Sequence, residues 1–177
     1  VRLALRRAFA VWSSAIPVKF TESRDYEHAN ITIGFFYGDH GDGSPFDNTV
    51  IAHANRPGRG AHTHFNAAFI FAVDFSSEES EMAFDLETVA VHEIGHVLGL
   101  GHSSFPAAVM WPYLSPGTTN VELTSDDAYG AQILYGSNPD FDIDSLKSLN
   151  SASKSFGLKE IITISVSLVV AALFSCL

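Results

Sequence analysis

The chain has 177 residues, with 20 acidic against 10 basic side chains and one cysteine. That length suits one globular domain with appendages, and the net charge of −10 argues against nucleic acid or an anionic membrane surface as a partner. Cys176 has no second cysteine to pair with, so an intrachain disulfide is excluded.

In chain order, VRLALRRAFAVWSSA sets Leu5, Phe9 and Trp12 on one face with Arg2 and Arg6 off it. This spacing predicts an amphipathic helix, which Pro17 ends. VKFTE (18–22), NITIGFFYG (30–38), TVIAHA (49–54) and HFNAAFIFAV (64–73) are alternating or continuous apolar runs rich in β-branched and aromatic residues, and predict strands. SSEESE (76–81) reads as a solvated acidic loop. A second helix starts after Asp85, a good N-cap, with Glu87 in the first turn. Asp126 and Asp127, just after Thr124, cap the last helix.

The folded domain is expected over residues 1–136. Residues 137–160 are polar and serine-rich, as in a linker. Residues 161–177 are apolar apart from Thr and Ser. Asn150-Ser151-Ala152, the polar spacer after them and this apolar end have the pattern of a GPI attachment signal. A retained hydrophobic membrane tail is the alternative, and either one puts the domain at a membrane surface.

The strongest chemical signal is VHEIGHVLGLGH, residues 91–102. His92 and His96 lie one helical turn apart, about 40° apart around the axis, so both imidazoles reach one ion. Glu93 is rotated off that line, where a carboxylate can take a proton from water beside the ion. Gly99 permits the left-handed conformation that ends a helix, so the chain can turn back and present His102 as a third ligand. Three neutral nitrogens and an open fourth position characterise a catalytic zinc, not a structural one.

The string H-E-x-x-H-x-x-G-x-x-H, followed by Met110 in AAVMWPYL, resembles the metzincin signature with its Met-turn. HGDGSPFDNTVIAHANRP, HTHFN and LTSDDAYGAQILYG are similar to stretches of the matrixins, and VAVHEIGHVLGLGHSS with the apolar tail looks most like the plant members. The resemblance implies an α+β metzincin catalytic domain: a twisted mixed sheet, about three α-helices, and an active-site helix followed by the Met-turn. The strand that opens the family's domain and lies inside its sheet has no counterpart in this sequence.

It further implies a second, structural zinc held by His40, Asp42, His53 and His64, with neighbouring His62 left outside the set and His28 a surface residue. Met110 would form an apolar floor under the catalytic zinc. Pro112 and Tyr113 would wall the pocket for the residue after the scissile bond, although the family's tyrosine falls one position later, where Leu114 stands. Ala52 and Ala54 would offer backbone groups to a polypeptide bound as an added strand. Asp126 and Asp127 resemble a pair that anchors the mature N-terminus and the Met-turn. Of three family calcium positions, Asp47 is retained, but Asn66 and Phe69 fill the others, and phenylalanine cannot ligate calcium.

The implied function is that of a zinc-dependent endopeptidase acting on extracellular proteins, with Glu93 as general base, at the outer face of the plasma membrane. The alternative is a non-catalytic metal-binding remnant displayed at that surface. Retention of Glu93 favours the enzyme, because binding alone needs the histidines and not the base.

Overall fold

The computed structural model describes residues 1–142 apart from 59, together with the backbone of 170–172. Residues 143–160 of the expected linker and most of the apolar tail therefore lie outside the described residues, whereas 137–142 stay against the domain, with Asn138 N–H donating to Ala15 O at 3.0 Å and its Nδ2 to Ser13 O at 3.2 Å. Among the described residues three helices, α1 (Arg2–Ala15), α2 (Leu86–Val97) and α3 (Ser125–Tyr135), pack with a five-stranded mixed sheet and a two-stranded one. The large sheet contains β1 (Glu22–Ser23), β2 (Ile31–Phe36), β3 (Ala52–Ala54), β4 (Ala61–Asn66) and β7 (Val170–Ala172), in the order β1-β7-β2-β4-β3. The small sheet pairs β5 (Phe71–Ala72) with β6 (Phe84–Asp85). This is the expected α+β architecture. The inner position between β1 and β2 is taken by β7, whose backbone runs parallel to both neighbours.

Helix α1 buries the predicted face, Leu5, Phe9 and Trp12 together with Ala4, Ala8 and Ala15. Ile16, its C-cap, is extended, as the residue before a proline should be. Off that face, Arg2 and Arg6 both pair with Glu22 of β1. Trp12 lies against α2, and its indole Nε1–H donates to the Val91 carbonyl at 2.9 Å. Helix α2 is buried almost all round, through Leu86, Val89, Ala90, Val91, Ile94 and Val97. A helix so apolar belongs at the centre of the core, with α1 on one side and the sheet on another. Gly95 allows the close approach: a Cβ there would sit 2.2 Å from Met110 Sδ and 2.9 Å from Trp12 Cζ2.

The strands are shorter than their sequence patterns. Residues 18–21 carry the VKFTE pattern without pairing, because Phe20 turns into the core against Phe9, with ring centroids 5.0 Å apart. The TVIAHA run pairs only over Ala52–Ala54. HFNAAFIFAV divides in two: β4 starts earlier, at Ala61, and a turn after Asn66, closed by Phe69 N–H to Asn66 O at 3.1 Å, redirects the chain into β5. Alternation of side chains marks extended backbone, but it does not say where a neighbouring strand stops.

Candidate metal centre

Asp85 caps α2 as expected, with its carboxylate accepting from Thr88 N at 3.0 Å. From this helix His92 and His96 project into a cleft of about 880 Å³. The helix stops at Val97, and Gly99 takes φ +103°, a left-handed conformation that side-chain-bearing residues avoid. The chain reverses there and brings His102 to the two helical histidines. One nitrogen of each of the three lies within 4.8 Å of the others.

Backbone carbonyls around the same reversal orient the helical histidines. His96 Nδ1 donates to the Leu100 carbonyl at 2.9 Å, just after the turn, and His92 Nδ1 donates to Val109 O at 2.7 Å, just before Met110. Each bond fixes the tautomer and leaves Nε2 as a lone pair facing the cluster. His96 Nε2 and His102 Nε2 stand 3.2 Å apart. A tetrahedral ion with bonds of about 2.0–2.1 Å separates its nitrogen ligands by about 3.3 Å, so the spacing fits zinc. Burial pushes His92 down to about 4 and also lowers His96, so both imidazoles are neutral and able to ligate at physiological pH.

Glu93 is buried at 5 % exposure, and its Oε2 has no hydrogen-bond partner. Burial alone pushes its carboxyl up to about 8. A carboxylate in that position needs a positive charge beside it to ionise at neutral pH, which a cation on the three imidazoles would supply. Met110, 2 % exposed, packs its sulfur under Gly95 of the same helix, as an apolar floor should. Asp127 holds that floor: its carboxylate accepts from Val109 N and Met110 N, both at 3.1 Å, while closing a capping box with Thr124. Asp126 accepts from Ser103 Oγ at 2.7 Å, beside His102.

The second expected set also comes together. Antiparallel pairing of β3 with β4 puts His53 opposite His64, and the loop after β2 brings His40 and Asp42 over them. Asp42 Oδ2 lies 3.0 Å from His40 Nε2, 2.8 Å from His53 Nε2 and 2.9 Å from His64 Nδ1. Burial raises the Asp42 carboxyl, but hydrogen bonds from Ser44 N, His53 and His64 outweigh it and hold the group well below the usual carboxylate range. One anionic oxygen and three imidazole nitrogens form a closed donor set of the structural-zinc type. His62 comes nearer than expected: it stacks on His64 with ring centroids 4.1 Å apart, and its Nε2 is 3.5 Å from the same Asp42 oxygen. His28 is at the surface, bonded to Asp25 at 2.9 Å.

Ala52 and Ala54 lie on the edge strand β3 and line the cleft, as do Pro112 and Tyr113. Leu114 lines it too. Asn120, which no motif singled out, also lines the cleft: its backbone N–H donates to Thr88 Oγ1 at 2.9 Å, and its Nδ2 donates to Ala108 O at 3.1 Å. Bonds to backbone so far along the chain leave no local pattern to read. Among the described residues no helix is long and apolar enough to cross a membrane.

A helix carrying two histidines one turn apart, a glycine reversal, a third histidine and a methionine beneath them form the arrangement of a metzincin site. Comparison with known proteins agrees: the Matrixin model of the M10 peptidases matches residues 1–136. Metalloendoproteinase 4-MMP of Arabidopsis thaliana is 55 % identical over 148 residues, covering 82 % of this chain and 43 % of that protein. Metalloendoproteinase 1 of Glycine max is 45 % identical over 140 residues, covering 77 % and 46 %, and human neutrophil collagenase is 43 % identical over 146, covering 78 % and 30 %. The chain belongs to the matrixin family, and it spans less than half the length of these relatives.

Proposed function

We propose that this chain is a zinc-dependent endopeptidase that hydrolyses peptide bonds of extended polypeptides outside the cell. The observation that carries the reading is a buried carboxyl, Glu93, whose Oε2 has no partner, on the same helix turn as His92 and His96 of a three-imidazole cluster in an open cleft. His92, His96 and His102 would hold the catalytic zinc, and His40, Asp42, His53 and His64 a second, structural one.

When bound to three nitrogens, zinc acidifies a water and polarises a carbonyl. The Glu93 carboxylate accepts the proton as the water oxygen bonds to the carbonyl carbon, then gives it to the leaving nitrogen as the C–N bond breaks. Burial suits it to both tasks, since a carboxyl in apolar surroundings holds its proton until the amine is ready to take it. The substrate backbone adds to the free edge of β3, pairing with Ala52 and Ala54, which lays the scissile bond along the cleft. Pro112, Tyr113 and Leu114 then form a wall for an apolar side chain after that bond.

Attachment of this domain to the outer face of the plasma membrane, through the GPI signal or an apolar tail, is part of the same reading and is supported by the sequence pattern at 150–177. The test is zinc content measured together with cleavage of a quenched-fluorescent peptide, with and without a chelator. About two zinc ions per chain and chelator-sensitive cleavage are expected. Glu93→Ala should keep the zinc and lose hydrolysis. Zinc binding without cleavage by the unaltered chain would replace the enzyme with a metal-binding remnant.

A further inference from the structure

Family resemblance implies calcium at Asp47 and at positions 66 and 69, and the residues present do not fit it. Asp47 folds its Oδ1 back into its own loop, accepting from Thr49 N at 2.7 Å, Thr49 Oγ1 at 2.6 Å and Val50 N at 3.1 Å. Phe69 sits edge-on against Phe84 and packs on the core. Asn66, 1 % exposed at the end of β4, aims its amide nitrogen at two backbone carbonyls, Asp47 O at 2.8 Å and Val50 O at 2.9 Å.

Two carbonyl oxygens converging on one positive centre are part of what a calcium ion is given in a protein loop. Here that centre is the NH₂ group of Asn66. Its Oδ1 accepts from Ala68 N at 3.0 Å, and its own backbone N–H donates to Ile51 O at 2.9 Å, so the residue ties the loop to β4 on both sides. A carboxylate at the same place would have no hydrogen to offer and would face both carbonyls with like partial charge.

We infer that the Asn66 side-chain amide takes the place of a cation in this chain, clamping residues 47–51 to the end of β4 so that the loop leading into the edge strand is held without calcium. Asn66 is thereby a positioning residue for the cleft: it touches no substrate, but it fixes the segment from which β3 emerges. The corollary is that one change, Asn66→Asp, exchanges a calcium-indifferent loop for one that needs a divalent ion to neutralise it.

The test is thermal unfolding of the zinc-loaded full chain, dialysed free of calcium and then titrated with calcium chloride to about 5 mM, a level that fills weak extracellular sites. The unaltered protein should shift by less than about 1 °C, and Asn66→Asp should melt roughly 5 °C or more lower without calcium and recover at least half of that loss with it. Magnesium, smaller and reluctant to dehydrate, should not substitute. A rise of more than about 3 °C for the unaltered chain on adding calcium overturns the inference, as does an Asn66→Asp variant that is as stable as the parent without calcium or indifferent to it. If Asn66→Asp does not fold in calcium-free medium, refolding yields with and without calcium read the same dependence. Melting is independent of hydrolysis, so an inactive parent with a calcium-indifferent melting point would sink the proposed peptidase and leave this clamp standing.

Discussion

Replacing Asp127 by alanine removes one carboxylate from four donors: Val109 N, Met110 N, Thr124 N and Thr124 Oγ1. Val109 and Met110 are buried, so their N–H groups lose their partner with no solvent to replace it, whereas half-buried Thr124 can turn to water. At about 1–3 kcal/mol for each of the two orphaned donors, plus about 1 kcal/mol for the lost capping box, the cost is about 5 kcal/mol. For a domain of this size that corresponds to a fall in Tm of roughly 10 to 20 °C. Since Val109 O is the acceptor that orients His92, zinc should also dissociate faster from Asp127→Ala. The matched control is Asp126→Ala, which gives up one surface bond from Ser103 and should cost less than about 1 kcal/mol. Paired thermal melts by circular dichroism, with zinc release followed by a chromogenic chelator, measure both effects. Equal Tm losses for the two variants would refute the assignment of Asp127 as the clamp on the methionine floor.

Gly95→Ala should destabilise the domain by about 1–3 kcal/mol, because the new methyl meets Met110 Sδ and Trp12 at distances no real Cβ adopts. Chemical denaturation reads this directly, and a neutral result would mean the helix and floor separate more easily than their packing suggests. Acid should weaken the zinc-free domain over a defined window. Burial holds His92 and His64 at about 4, below the ordinary 6.5, so each is neutral when folded and takes up a proton on unfolding between those values. Their contribution is complete above pH 6.5 and is lost as pH falls towards 4, so Tm measured without zinc should drop across that interval; a flat profile would contradict it.

The cluster around His92 was legible because its chemistry is local. Eleven positions from His92 to His102 hold all three histidines, the glutamate and the glycine, and helical geometry converts their spacing into convergence. His40, Asp42, His53 and His64 were legible only through resemblance, since it takes the register of β3 against β4 to put His53 opposite His64. The approach of His62 to Asp42 depends on that register too, and spacing two residues before His64 gave no sign of it. Strand ends were lost for the same reason: pairing partners decide where a strand stops, and Phe20 leaves its extended run to fill the core. Nothing local could reveal that β7 would lie between β1 and β2, with more than a hundred residues separating it from either. The two roles of Asp127 show the converse. Its capping box is written in adjacent residues, but its bonds to Val109 and Met110 cross 17 or 18 positions and appear only in three dimensions.

Among the described residues strand β3 closes one side of the sheet with only its β4 side paired. An edge left open to receive a guest peptide is equally open to another copy of the same molecule, and such edges are where β proteins begin to aggregate. Three features limit that hazard here. The strand is three residues long, Asn55 turns the chain away at its end by bonding Gly60 O and the His62 backbone, and Arg56 stands on the rim of the cleft beside it. A short guest can gain from a few backbone bonds plus the pocket beyond them, whereas a second copy would have to bring two folded surfaces together around the same three residues. The length of this strand thus bears on colloidal stability and on the proposed docking of substrate at the same time.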